Sequence, residues 1–316
     1  MTQAGEPIHV VAGILSDAAG RVLLTQRPPG KHLAGSWEFP GGKVDPGESA
    51  QDALRRELHE ELGIEAGVLE PVIGVPWHYA EKSIFLDAYR VLDYGGEPHG
   101  RETQALRWCH VGGLSELEMP PADRPIAVAL RLPPFYAITP EPGDDDAAFL
   151  ARVDRALASG VKLMQLRAKS VASARLRSLG HEVRARTQRV GAQLLLNGDA
   201  ALAAELAFDG VHVPASALLQ LRARPVPADR WFAASCHDAR ELAHAAEVGA
   251  DFAVLGPVRP TSTHPNARAI GWERFSALVK QAPLPVYSLG GLARHELAAA
   301  LAAGSQGIAG VSAFFG

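Results

Sequence analysis

Gly41-Gly-Lys-Val-Asp-Pro-Gly-Glu48, followed by Ser49 to Arg55 and then Arg56-Glu-Leu-His-Glu-Glu-Leu-Gly-Ile64, decides how the first part of the chain is read. Ser49 and Asp52 form a capping box that starts a helix over Gln51 to Leu62. At about 100° per residue, Glu57, Glu60 and Glu61 fall at i, i+3 and i+4 on one face, while Leu54, Leu58 and Leu62 make the opposing apolar stripe. Three carboxylates on one face repel one another and raise each other's pKa unless a cation stands among them. Mg²⁺ suits oxygen donors and keeps several waters, leaving positions for phosphate oxygens and for a water nucleophile; Mn²⁺ is the alternative ion. Arg56, four residues before Glu60, is placed to hold that carboxylate. The glycine-flanked loop ending at Glu48 brings backbone groups, Gly41 and Gly42 among them, within reach of a polyphosphate. Taken alone, three such glutamates read as a solvated helix face.

Working outward, 316 residues with 47% hydrophobic content supply enough apolar surface for two cores. A net charge of −4 and a pI near 6.3 leave no basic field of the kind that gathers polymeric nucleic acid. Phosphate-bearing partners are therefore expected to be small and metal-assisted. Cys109 and Cys236 stand far apart and outside any C-x-x-C pair, so neither a disulfide framework nor a zinc site is indicated. Met1 to Val10 lacks a signal peptide's basic start and long apolar core, and the run from Leu297 to Ala303 is too short for a bilayer. A cytoplasmic protein with no membrane partner is expected.

From Ile8 to Leu130 short β-like runs (Val10 to Leu15, Val22 to Gln26, Ser83 to Val91) surround the charged helix, an α+β pattern with a mixed sheet. Paired prolines in Arg131-Leu-Pro-Pro-Phe135 set a boundary near Pro133, giving units 1–133 and 134–316. Beyond it, eight apolar runs begin near Phe135, Leu163, Gln193, Gly210, Trp231, Phe252, Pro285 and Gly307, separated mostly by helical stretches. Eight alternating units predict a closed (β/α)₈ TIM barrel, with short third to fifth helices, and an α/β chain overall. An open doubly wound sheet is the competitor, but no G-x-G-x-x-G follows the first strand.

The spacing from Gly42 through Glu48, Arg56-Glu57-Leu58, Glu60-Glu61 and Gly63-Ile64 matches the Nudix box at every defined position. Trp37-Glu-Phe-Pro-Gly-Gly42, Gly96-Glu-Pro-His-Gly-Arg-Glu102 and Pro120-Pro-Ala-Asp-Arg-Pro125 extend the resemblance to the MutT-type 8-oxo-dGTP diphosphatases over residues 8 to 133. The resemblance implies that Glu57, Glu60 and Glu61 ligate the metal, with Glu102 a further carboxylate, Glu48 near the metal or water, and Gly42 at the same centre. It implies that Arg27 holds the phosphate or ribose side, that Phe39 shapes the base pocket, and that Lys82 stands where the family often has arginine. Asp123 replaces the family's base-reading asparagine; an ionised aspartate accepts hydrogen bonds and donates none. The implied reaction is attack of water on the β-phosphorus of a nucleoside triphosphate, giving the monophosphate and pyrophosphate, with 8-oxo-dGTP the expected substrate and nucleotide-pool sanitisation the expected role.

In the second half, candidate residues end the proposed strands, at the face where barrels place their sites. These are Gln165, Arg167 and Lys169, then Asn197, then Ser235 and His237. Thr261, Thr263, Gly290, Gly291 and Ser312 read as a phosphate cradle. Gln165-Leu-Arg-Ala-Lys169, Asp209-Gly-Val-His212, Gly256-Pro-Val258, Thr261-Ser-Thr263 and Gly290-Gly291 resemble the thiamine phosphate synthase and thiazole tautomerase superfamily over residues 134 to 316. The synthase's two metal-binding aspartates align with Gly198 and Ala217, and its lysine after Thr263 with His264, which disfavours a pyrophosphate-ionising reaction. His237 matches the tautomerase's acid/base position and suits proton transfer at neutral pH. A phosphate-binding domain without catalysis is the alternative. Two whole-chain rivals are a hydrolase of thiamine-pathway pyrophosphates and a thiamine-biosynthetic protein with an accessory N-terminal domain.

Overall fold

A computed structural model of the chain describes residues 6–261 and 268–316, so Thr263 and His264 lie outside the described residues. Contacts divide the chain into two units, Met1–Arg131 and Leu132–Gly316.

In the first unit, β1 (Ile8–Leu15) is buried on both sides, which accounts for its nearly continuous apolar sequence. β2 (Arg21–Gln26) pairs antiparallel with β3 (Trp37–Glu38), and α1 (Ala50–Leu62) follows. β4 (Glu65–Ala66), β5 (Leu69–His78), β6 (Ser83–Val91), β7 (Tyr94–Gly95), β8 (Leu106–His110) and α2 (Arg124–Arg131) complete the unit. β6 lies between β1, to which it is parallel, and β5, to which it is antiparallel, so the sheet is mixed. Val11 and Leu15 pack with Leu54, Leu58 and Leu62 of α1; Ala12 and Ile14 pack on the opposite side with Phe39, Leu86 and Ile126. The apolar stripe of α1 is thus the stripe read from its spacing, each of the three leucines being fully buried.

Ser49 caps α1: its hydroxyl accepts the Asp52 N–H at 3.2 Å and donates to the Asp52 carboxylate at 2.7 Å. This departs from the expected capping box, because the Asp52 carboxylate is satisfied by the Ser49 hydroxyl. The loop before the helix runs along β1, with Gly13 N–H donating to Pro40 O and Val11 N–H to Gly42 O, both at 2.8 Å. That edge pairing carries the loop across the face of α1.

The second unit begins with β9 (Phe135–Ile138) and α3 (Asp146–Ala158), then β10 (Leu163–Leu166) and α4 (Ser173–Arg189). β11 (Gln193–Asn197), α5 (Ala200–Glu205), β12 (Gly210–Val213), α6 (Ala215–Leu218), β13 (Trp231–Cys236) and α7 (Ala239–Glu247) follow. β14 (Phe252–Leu255), α8 (Gly271–Val279), β15 (Val286–Leu289), α9 (Leu297–Ala302), β16 (Gly307–Gly310) and α10 (Ser312–Phe315) end it. The eight strands pair in parallel and in sequence order, and β16 closes onto β9. The closed (β/α)₈ barrel is therefore observed and the open sheet is excluded. Of the helices expected to be short, α5 and α6 have six and four residues, but α7 runs nine, the same as α8.

Side chains fill the barrel rather than leaving a pore. Tyr136, Phe252 and Tyr287 meet ring to ring at 5.4 to 5.8 Å, and all three are fully buried. Among the described residues no helix is long and apolar enough to cross a membrane.

Candidate functional site

In the first unit α1 turns Glu57 and Glu61 toward the loop that rides on β1. The Gly41 N–H donates to Glu61 Oε2 at 3.2 Å, and the Glu57 carboxylate lies against Gly42. A Cβ on Gly41, where φ is +149°, would stand 2.1 Å from the Val11 carbonyl oxygen; one on Gly42 would stand 2.2 Å from Glu57 Cδ. At Gly41 the obstacle is backbone, so only glycine fits; at Gly42 the missing Cβ is what lets the Glu57 carboxylate come this close.

Burial pushes the Glu61 carboxyl up to about 8, with Glu102, Glu57 and Glu38 adding to the rise and the Gly41 N–H opposing it. Arg56 sits among the other carboxylates. Its Nε and Nη2 fork onto Glu48 at 3.1 and 3.0 Å, Nη1 reaches Glu57 at 2.9 Å, and the contact expected from spacing, Nη1 to Glu60, is the longest at 3.3 Å. The Arg56 guanidinium is the main reason Glu48 lies below its ordinary value. Glu60 is more than half exposed. Glu102 is half exposed and pairs with Lys31 at 3.5 Å.

Among the described residues no three Asp, Glu, His or Cys side chains form a ready-made cation site. Of the three helix carboxylates, Glu57 and Glu60 bond Arg56, while Glu61 accepts the Gly41 N–H. The donor chemistry nonetheless fits a hard divalent ion: these are oxygen ligands, and a cation relieves the repulsion that Glu57 and Glu102 exert on Glu61. The Gly42 carbonyl, anticipated at the same centre, accepts the Val11 N–H and keeps one lone pair.

Beside this cluster, Asp123 is buried, and its Oδ1 accepts the Phe39 N–H at 3.1 Å. Burial, and after it the charge of Glu38, pushes Asp123 up to about 7, against the opposing effects of the Phe39 N–H and Arg27. Phe39 itself packs into the core, so its direct link to Asp123 is its backbone N–H. Arg27 donates to Glu38 and to the His32 carbonyl, which engages the guanidinium expected on the phosphate or ribose side. Glu38 was not singled out from the sequence. Burial raises its carboxyl despite Arg27 beside it. Lys82 rests over the Tyr79 ring, 5.9 Å from its centroid.

In the second unit a cavity of about 740 Å³ opens at the C-terminal ends of the barrel strands. Gln165, Arg167, Lys169, Asn197, Ser235 and His237 all line it. So do Thr261, Gly290, Gly291 and Ser312 on the side expected to cradle phosphate. No Asp or Glu is among the described residues that line it. Gly198 and Ala217 bring no carboxylate, and the neighbouring Asp199 caps α5 by accepting the Leu202 N–H at 3.0 Å. A cation holding pyrophosphate therefore finds no carboxylate donor here.

His237 is more than half exposed, with Nδ1 2.9 Å from Glu241 Oε2, the same oxygen that accepts the His237 backbone N–H at 2.7 Å. Glu141 orders the opposite rim by accepting from Arg167 Nη1, from Ser170 Oγ and from the Lys169 N–H. Tyr136 and His212 hydrogen-bond deep in the barrel. Glu141, Glu241 and Tyr136 were missed from the sequence; a glutamate one helical turn beyond His237 was the legible signal for Glu241.

With this geometry in hand, comparison with known proteins assigns both units. Residues 7–130 match the NUDIX domain family and residues 135–314 the Thiamine monophosphate synthase family. The CTP pyrophosphohydrolase of Escherichia coli (strain K12) is 45% identical over 122 residues, 39% of this chain and 90% of that protein. The 8-oxo-dGTP diphosphatase of Haemophilus influenzae is 44% identical over 116 residues, 37% of this chain and 85% of that protein. The thiamine-phosphate synthase of Thioalkalivibrio sulfidiphilus is 32% identical over 187 residues, 58% of this chain and 89% of that protein. The chain therefore belongs to the Nudix hydrolases through its first unit and to the thiamine monophosphate synthase family through its second.

Proposed function

We propose that residues 1–133 hydrolyse a nucleoside triphosphate to the monophosphate and pyrophosphate with Mg²⁺, and that 8-oxo-dGTP is the leading substrate. The observation that supports this reading is the seating of the Glu57 carboxylate against Gly42 and of Glu61 on the Gly41 N–H, a close approach that the two glycines allow. Glu57, Glu60, Glu61 and Glu102, with Gly42 beside them, would hold Mg²⁺ or Mn²⁺. The ion supplies charge neutralisation at phosphate oxygens and a lower pKa for water. Arg56 orients Glu48 and Glu57, and the loop backbone lets the polyphosphate approach. Water oxygen adds to the β-phosphorus, the bond to the α,β-bridging oxygen breaks, and the nucleoside monophosphate leaves. Removing an oxidised nucleotide before polymerisation would serve replication fidelity, in the cytoplasm where free nucleotides are used.

A second reading, a cytosine nucleotide, is favoured by Asp123. An ionised carboxylate accepts from the cytosine amino group but repels guanine O6, and a relative at 45% identity is named CTP pyrophosphohydrolase. Pyrophosphate release with Mg²⁺, comparing 8-oxo-dGTP, dGTP, CTP and a thiamine-pathway pyrophosphate at equal concentration, separates the readings. Preference for 8-oxo-dGTP supports the first, and preference for CTP the second. Preference for the thiamine compound overturns both.

For residues 134–316 we propose a site for a thiazole phosphate at which His237 moves a proton. Arg167 and Lys169 give the cavity a positive lining suited to phosphate, and Glu241 holds one ring nitrogen of His237. Synthase chemistry on a pyrophosphate is disfavoured, since Gly198 and Ala217 offer no ligand for its metal. Failure of the purified chain to rearrange a thiazole phosphate that it binds would reduce the barrel to a binding domain.

A further inference from the structure

Three of the candidate metal-binding carboxylates, Glu57, Glu60 and Glu61, ride on α1, and the fourth, Glu102, comes from the loop between β7 and β8. A helix end leaves its last four carbonyls without partners inside the helix. That same loop meets three of them. Arg101 Nη1 donates to His59 O at 3.0 Å, the Arg101 N–H to Glu61 O at 2.9 Å, and the His99 N–H to Leu62 O at 3.1 Å. A Cβ on Gly100 would stand 2.3 Å from the Gln104 carbonyl oxygen, so the loop folds back on itself through bare backbone.

Gln104 makes a connection that capping the helix does not need. Its Nε2 donates to Glu61 O at 3.0 Å, a carbonyl that the Arg101 N–H already serves, and its Oε1 accepts the Glu102 N–H at 2.8 Å. A planar amide carries a donor and an acceptor, so one side chain ties the backbone of Glu61 to the backbone of Glu102. Between Glu102 and Gln104, Thr103 has a φ of +66°, a region that β-branched residues avoid, and the bonds on either side hold the turn there. The Glu102 carboxylate is half exposed, and a ligand on an unsupported loop would lose conformational freedom when it took up a cation. A backbone fixed in advance lowers that cost.

We propose that Gln104 is a positioning residue that sets the separation of Glu61 and Glu102, so that the loop carboxylate stands ready for a divalent ion before the ion arrives; this role rests on the reading of the first unit's carboxylates as metal ligands.

The test measures Mn²⁺ binding to the full chain without nucleotide, by electron paramagnetic resonance of the free ion. Gln104→Met, similar in size but without the amide, is expected to weaken binding about tenfold, as loss of a group that orients a ligand does. Gln104→Asn, whose amide is one methylene too short to span both bonds, is expected to lose nearly as much. Thermal melts in EDTA are expected to show Gln104→Met close to wild type and Arg101→Met, which loses a bond to the helix end, lower. In a Glu102→Gln background, Gln104→Met is expected to cost no further affinity, because its effect passes through Glu102. Unchanged Mn²⁺ affinity in both Gln104 variants, or losses that simply add in the double variant, overturns the proposal while the hydrolase reading stands. Affinity unchanged by Glu102→Gln removes that ligand and the proposal with it. A wild-type chain that binds no Mn²⁺ and releases no pyrophosphate overturns the hydrolase reading as well.

Discussion

The Glu57 carboxylate lies so close to Gly42 that a Cβ on the glycine would stand 2.2 Å from Glu57 Cδ. Helix α1 and the loop on β1 meet there through a backbone and a carboxylate, with Arg56 bonding the loop at the next residue, Lys43. Gly42→Ala is expected to displace Glu57 and lower hydrolysis by about 100-fold, since small misplacements at a reacting centre cost that much. Glu57→Gln is expected to keep the fold and largely abolish Mg²⁺-dependent turnover. Circular dichroism and pyrophosphate release check both, and unchanged turnover in Glu57→Gln would remove that residue from the mechanism.

Arg56 neutralises part of the cluster by bonding Glu48, Glu57 and Glu60. Without it the carboxylates repel one another, and a divalent ion becomes the main relief. Arg56→Gln is expected to lower Tm in EDTA, with Mg²⁺ restoring more of the Tm than it adds to wild type. Thermal melts of both proteins with and without Mg²⁺ check this, and equal metal-induced shifts would refute it.

Asp123 is pushed up to about 7 from an unfolded value near 3.8. Because the folded chain holds this proton more tightly, its contribution to stability is complete below the unfolded value and is lost as pH rises toward 7. Asp123→Asn is expected to flatten the fall in stability over that window, as read by urea denaturation against pH. The protonated acid donates as well as accepts, so the wild-type ratio of kcat/KM for 8-oxo-dGTP over CTP is expected to fall as pH rises. In Asp123→Asn that ratio is expected to be higher, by about tenfold, and insensitive to pH. A ratio unchanged by the substitution would show that the base is read elsewhere.

In the barrel, His237→Ala is expected to lower turnover of a thiazole phosphate by about 100-fold or more without weakening its binding, as loss of a general acid/base does. Glu241→Gln is expected to lower kcat less, because the carboxylate oxygen that holds His237 Nδ1 is replaced by an amide while the ring itself remains. Turnover assays across pH with calorimetric affinities check both. An unchanged kcat in Glu241→Gln would show that the carboxylate does not position His237.

What the residues determined on their own was local. Period and spacing placed Leu54, Leu58 and Leu62 under α1 and Glu57, Glu60 and Glu61 away from them, and the starts of the eight apolar runs mark the eight barrel strands to within a residue. Such patterns are legible because side-chain direction follows the period of the element. The tertiary structure alone decided the rest. Asp123 meets the Phe39 N–H across 84 positions, Tyr136 meets His212 across 76, and Arg56 turns toward Glu48 and Glu57 more closely than toward Glu60. Each of these depends on which buried polar groups are left to find one another once strands and helices have packed. Burial then sets their charge, holding His212 neutral and lifting Asp123 toward neutrality, and no spacing along the chain carries that information.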